Sequence, residues 1–149
     1  KQLRDAIMRK ARVKFETIST AQVRALGDFA VRFAYDIKAL DDPAFAEITV
    51  RSGQRSGKSK RGLAQKLQLK GVDRETAAVA LQETDDLIAA INFARKRAFG
   101  PFRRVEFDEK RKAKEFSAFA RNGFSFEIGS NVMSMTTEEA ENILSEAPL

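Results

Sequence analysis

Two matched segments constrain this chain more than anything else in it. LQLKGVDRETAAVAL (67–81) aligns with FARNGFSFEIGSNVM (119–133), 52 residues further on. Leu67 pairs with Phe119, Gly71 with Gly123, Val72 with Phe124, Asp73 with Ser125 and Glu75 with Glu127. In both, an apolar stripe stops at a glycine, the residue that best adopts a left-handed helix cap. An Asp or Ser follows, suited to accept from the free amides of a new helix. A Glu then falls in that helix's first turn, where it complements the dipole. One further step back lies Ser19–Gln22, with the register slipped by a residue or two. A unit of ~50 residues with about three short helices predicts an all-α fold, tandem units stacked into an elongated, curved molecule. The approximate repeats are 1–52, 53–104 and 105–149 of a single helical-repeat protein. No stretch alternates with the period of a strand.

Helix signals fill the intervals. Residues 2–16 carry an imperfect stripe of Leu3, Ile7, Val13 and Phe15. Ser19 with Gln22 reads as a capping box, opening a helix whose Val23, Leu26, Ala30, Phe33 and Ile37 share one face, with Gly27 permitting close packing or a kink. Asp42-Pro43 reads as a helix start, with Phe45, Ile48 and Val50 inward and an end at Ser52-Gly53. Leu63, Leu67 and Leu69 mark the next stripe. A further helix is expected from Glu83 to Phe99, with Leu87, Ile88, Ile91 and either Ala94 or Arg95 inward and Gly100-Pro101 as its stop. Asp108 caps a helix with Lys110, Arg111, Lys112 and Lys114 outward and Phe116 and Phe119 inward. Thr136 with Glu139 forms a last capping box.

Composition narrows the function. The chain has no His and no Cys. That removes the commonest general base and transition-metal ligand, along with disulfides and thiolate chemistry. Asp41-Asp42 and Asp85-Asp86 are adjacent pairs. Neighbours on a helix point ~100° apart, so they read as caps and solvated faces rather than as a catalytic dyad. No enzymatic activity and no cofactor are expected. No apolar run approaches the ~20 residues that cross a bilayer, so no membrane partner is expected. The absence of cysteine agrees with a reducing compartment, and a cytoplasmic protein is expected. The absence of Met at position 1 suggests a piece of a longer chain.

Charge is uneven. Residues 1–70 hold 16 Lys/Arg against 7 Asp/Glu, and from Gly71 onward acids outnumber bases by 14 to 11. Between Ile48 and Val72 there is no acid at all, yet Arg51, Arg55, Lys58, Lys60, Arg61, Lys66 and Lys70 are there. Such a run is either a solvated helix face or the footprint of a polyanion. Arg95-Lys96-Arg97 is a second cluster, explained equally well by helix-end capping. Gly53-Gln54-Arg55-Ser56-Gly57-Lys58-Ser59 resembles a P-loop. It has three residues between its glycines instead of four, and no buried strand precedes it, so a flexible basic turn capped by Ser59 is preferred. A helix-turn-helix around Lys70–Asp73 competes as an image.

Leu40-Asp41-Asp42, Phe45-Ala46, Arg51, Gly57-Lys58, Leu63, Leu67 and Lys70-Gly71-Val72, in that order and spacing, resemble the RecX family, small all-α regulators of the bacterial RecA recombinase. Arg111, Phe119, Arg121 and Gly123-Phe124-Ser125 are similar to that family's C-terminal repeat. Ala94-Arg95-Lys96-Arg97 with Gly100-Pro101-Phe102 looks like a subgroup of it. The resemblance runs from about Leu40 to Met133. Asn122 departs from it, standing where the family often has a second Arg. The resemblance implies three repeats of three helices, seated in the groove of the RecA–single-stranded DNA filament and inhibiting strand exchange, ATP turnover and co-protease function. It places Arg51, Lys58, Lys66, Lys70, Arg111 and Arg121 on the binding face. Arg55, Lys60, Arg61, Arg95, Lys96, Arg97, Lys112 and Lys114 join them by charge and placement. A monomer is expected, with weak DNA contact of its own. The alternatives are a free-standing basic DNA-binding module and a purely structural helical adaptor.

Overall fold

The structure is a computed structural model and describes residues 1–37 and 41–147. Among these residues it is helical throughout, with no strand: α1 (Gln2–Lys14), α2 (Thr20–Asp36), α3 (Asp42–Arg55), α4 (Lys60–Lys70), α5 (Arg74–Leu81), α6 (Asp86–Arg97), a 3-10 turn at Gly100–Phe102, α7 (Glu109–Arg121), α8 (Phe126–Ser134) and α9 (Thr137–Glu146). Leu40, which opens the matched motif, lies outside the described residues.

The repeat is present as geometry. Gly71 and Gly123 both take the left-handed conformation, with φ of +88° and +87°. After each, an amide reaches back over the helix end: Val72 N–H to Leu67 O at 3.1 Å and Phe124 N–H to Phe119 O at 3.1 Å. Only glycine enters that region without a steric cost. Asp73 and Ser125 then accept from Thr76 N–H at 2.9 Å and Ile128 N–H at 3.2 Å. The capping boxes at Ser19/Gln22 and Thr136/Glu139 are complete, side chain to backbone in both directions.

Several boundaries differ from expectation. The cap of α3 is Asp41, accepting from Ala44 N–H at 3.0 Å, and Asp42 is the first helical residue. That helix runs on to Arg55, so the expected end at Ser52-Gly53, and with it the first repeat boundary, falls inside it. Helix α6 starts at Asp86, not Glu83, because Asp85 supplies the cap through Leu87 N–H at 2.7 Å. Both aspartate pairs thus do capping work.

Two cores form. Ala46, Val50, Leu63, Leu67, Val72, Ala77 and Leu81 pack α3, α4 and α5 together. Ile91, Phe93, Phe99, Phe119, Phe124, Val132 and Ala140 pack α6, α7, α8 and α9. Burying a side chain such as Leu63 or Leu67 contributes about 1.5–3 kcal/mol. Helix α3 bridges the two groups by packing on α6. Helices α1 and α2 pack on each other, and there the expected stripe is only half covered. Val23, Gly27 and Ala34 are buried, while Leu26, Phe33 and Ile37 are exposed, as are Val13 and Phe15 of the preceding stripe. Gly27 permits close packing: a Cβ there would stand 3.0 Å from Met8 Cγ. Phe45, Ile48 and Leu69, expected inward, point to solvent.

Candidate polyanion interface

The basic segment from Ser52 to Gly62 is packed, not a flexible turn. Its first four residues are helical. Gly57 follows at φ +79°, and a Cβ on it would lie 2.6 Å from the Phe93 backbone nitrogen, so α6 presses directly on the turn. Ser59 is wholly buried. Its hydroxyl accepts from Gly62 N–H at 3.1 Å and donates to Asn122 O at 2.6 Å, tying α4 to the end of α7. Lys60 N–H donates to the Asp86 carboxylate at 2.6 Å. The amides at the start of α4 are therefore met by a hydroxyl and a carboxylate. A phosphate arriving there would face Asp86, which removes the P-loop reading on electrostatic grounds.

The same packing fixes where the arginines go. Asn92 Nδ2 donates to Gln54 O at 3.4 Å and Gln54 Nε2 to Asp85 O at 3.3 Å, joining α3 to α6. Arg51 and Arg55, four apart on α3, and Arg95 on α6 then line one groove of about 220 Å³, floored by Ile88 and Leu144. All three arginines are exposed. Arg95 also stacks over Phe102, 5.2 Å from the ring centre, and pairs with Glu141 of α9.

The other expected residues are spread more widely. Lys58, Lys60 and Arg61 are exposed around the start of α4. Cations there oppose the helix dipole, so the fold gains nothing locally from them. The Arg61 stem lies beside Gly123, near the end of the helix carrying the exposed Arg121. Lys66 and Lys70 are half-buried on α4 and do not line the groove. Lys96 and Arg97 are exposed in the last turn of α6, where the dipole favours them. Lys112 and Lys114 are exposed, and Lys112 lies 3.8 Å from Glu109.

Arg111 has a different place from the outward one expected. Its Nε donates to Glu115 Oε1 at 3.0 Å, and its guanidinium lies 5.6 Å from the Phe99 ring centre. Glu115 is fully buried. It also accepts from Arg103 at 2.9 and 2.7 Å and from Gly100 N–H at 3.0 Å. Burial pushes the Glu115 carboxyl upward. The hydrogen bonds from Arg103, Gly100 and Arg111 outweigh it and hold the group below the ordinary carboxylate range. This cluster pins the segment between the 3-10 turn and α7, and it occupies Arg111 structurally. The sequence reading missed Glu115, though a signal was present: it stands four residues before Phe119, on the inward stripe. It also missed Glu141, Gln54 and Asn92.

The helix-turn-helix image fares poorly. The outward side of α5 presents Arg74, Glu75, Ala78 and Val79. One arginine beside an acid and apolar side chains is a weak reader of base edges.

Comparisons with known proteins converge. Residues 41–81 match the family model described as RecX, second three-helix domain, the span that holds α3, α4 and α5. The regulatory protein RecX of Agrobacterium fabrum is 83% identical over all 149 residues, which cover 81% of its length. The regulatory protein RecX of Myxococcus xanthus is 40% identical over 99 residues, 63% of this chain and 53% of that protein. No solved structure matches the chain.

Proposed function

The chain belongs to the RecX family, and from that premise we propose that it binds the RecA–single-stranded DNA filament in its helical groove and restrains recombinase, ATPase and co-protease activity. In this reading it acts in the cytoplasm as a monomeric modulator of DNA repair, recombination and the SOS response. It uses no catalysis of its own, and its stacked three-helix units span neighbouring filament protomers. The observation that carries the reading is the joining of Arg51, Arg55 and Arg95 in one groove, within a relative-matched chain whose residues 48–72 hold no acid. Arginine side chains attract phosphate without regard to sequence, as a filament-wide regulator requires. Among the described residues no helix is long and apolar enough to cross a membrane.

The test is a RecA ATPase and strand-exchange assay. Inhibition at a small ratio of this protein to RecA is the expected result, and undiminished strand exchange at equimolar protein would refute the reading. A free-standing DNA-binding module would instead hold naked single-stranded DNA as tightly as the RecA-coated form.

A further inference from the structure

We propose that helix α9 carries an internal competitor for the polyanion: Glu141 occupies Arg95 and so sets how strongly the α3–α6 groove binds phosphodiester. The inference rests on the reading of that groove as the polyanion seat. Helix α9 holds Glu138, Glu139, Glu141 and Glu146, and no Lys or Arg. Two of these serve the helix itself. Glu138 and Glu139 lie in its first turn, and Glu139 closes the capping box with Thr136. Glu141 has no such duty. It reaches across to α6 and pairs with Arg95, 46 residues away in sequence.

The pair is about half exposed on both sides, 45% for Arg95 and 52% for Glu141. Exposed ion pairs contribute little to folding, so stability does not account for it. Yet the helix that carries the carboxylate is firmly held. Ala140 beside it is fully buried, Thr137 Oγ1 donates to Pro101 O at 2.8 Å, and Ile143 and Leu144 pack on the core. Leu144, one turn beyond, helps to line the groove. Helix α9 is thus a fixed wall that brings one negative charge to the groove's edge. Arg51 and Arg55 form no ion pair among the described residues, so they are open to phosphate. Arg95 gives its Nη2 to Glu141, so an anion meets that guanidinium with a donor taken and its charge offset, and competes with the carboxylate for it.

The experiment measures binding of a fluorescent oligothymidylate across a salt series to the full chain and to variants checked by circular dichroism. Glu141→Gln should bind several-fold more tightly, with a log–log salt slope steeper by about 0.7, the contribution of one phosphate on a single strand. Adding Arg95→Gln should cancel that gain. Arg51→Gln and Arg55→Gln should each weaken binding several-fold. If these two weaken binding while Glu141→Gln matches the parent protein, the competitor role is overturned and the groove stands. If neither arginine matters, or the oligonucleotide does not bind any variant, the polyanion seat is overturned with it.

Discussion

Phenylalanines at the two ends of this molecule live under different conditions. In the α6–α8 core, Phe93 lies 5.3 Å from Phe119, 5.7 Å from Phe124 and 6.0 Å from Phe99 between ring centres, and all four are nearly or fully buried. On α2, Phe29 and Phe33 stack on each other at 6.2 Å but are 64% and 53% exposed. They border an open apolar groove of about 490 Å³ with Leu3, Ile7, Ala11 and Phe15. The difference lies in neighbours. The third helix of the later units, α5 or α8, packs on two others, whereas α2 packs chiefly on α1. A helical array is stabilised by contacts between adjacent elements, so an apolar stripe is worth only as much as its covering.

That contrast can be broken by mutation. Phe119→Ala should be the most damaging change, costing about 3–5 kcal/mol by chemical denaturation, since it opens a cavity at the centre of the aromatic cluster. Glu115→Ala should follow closely, at about 3–5 kcal/mol, because it leaves Arg103 and Arg111 facing a buried gap without their partner. Phe33→Ala should change the same measurement by less than about 0.5 kcal/mol, the range of surface substitutions. A loss comparable to Phe119→Ala would show that α2 has a covering neighbour in solution.

Glu115 also gives the α6–α8 region a pH signature. Its folded carboxyl sits below its unfolded value, so its stabilisation is complete above that unfolded value, about 4.3, and is lost as pH falls through the lowered folded one. Acid unfolding of Glu115→Gln should therefore be less steep than that of the parent chain.

The smallest effect concerns the junction between α2 and α3. Tyr35 donates its hydroxyl to the Asp42 carboxylate. That hydrogen bond, with partial burial and the charges of Asp42 and Asp73, pushes the phenol up to about 12. It is the chain's single tyrosine, so tyrosinate absorbance reads it directly. Asp42→Asn should return the titration to near 10, the ordinary phenol value, with little loss of stability.

Local chemistry was legible in the sequence where it is written in a few adjacent residues. Ser19, Asp73, Ser125 and Thr136 cap the helices expected of them, and Gly71 and Gly123 end theirs, because each signal acts within four residues. Leu63, Leu67 and Phe119 were placed correctly in the interior for a related reason, their regular spacing. Tertiary pairing was not legible. Nothing beside Arg103 says that it reaches Glu115, twelve residues on, and Arg95 and Glu141 meet only because α9 folds back on α6. The basic turn looked loose because glycine and serine are common in loops. Its glycine instead admits the backbone of Phe93.

The proposed function requires that the groove arginines act on the filament. The most direct measurement is RecA ATPase on single-stranded DNA, titrated with the parent chain and with an Arg51→Glu/Arg55→Glu variant of unchanged helical content. If the arginines do, the variant needs at least about tenfold more protein for the same inhibition, equivalent to a loss of about 1.4 kcal/mol in binding. Equal inhibition by both proteins would contradict the proposed function.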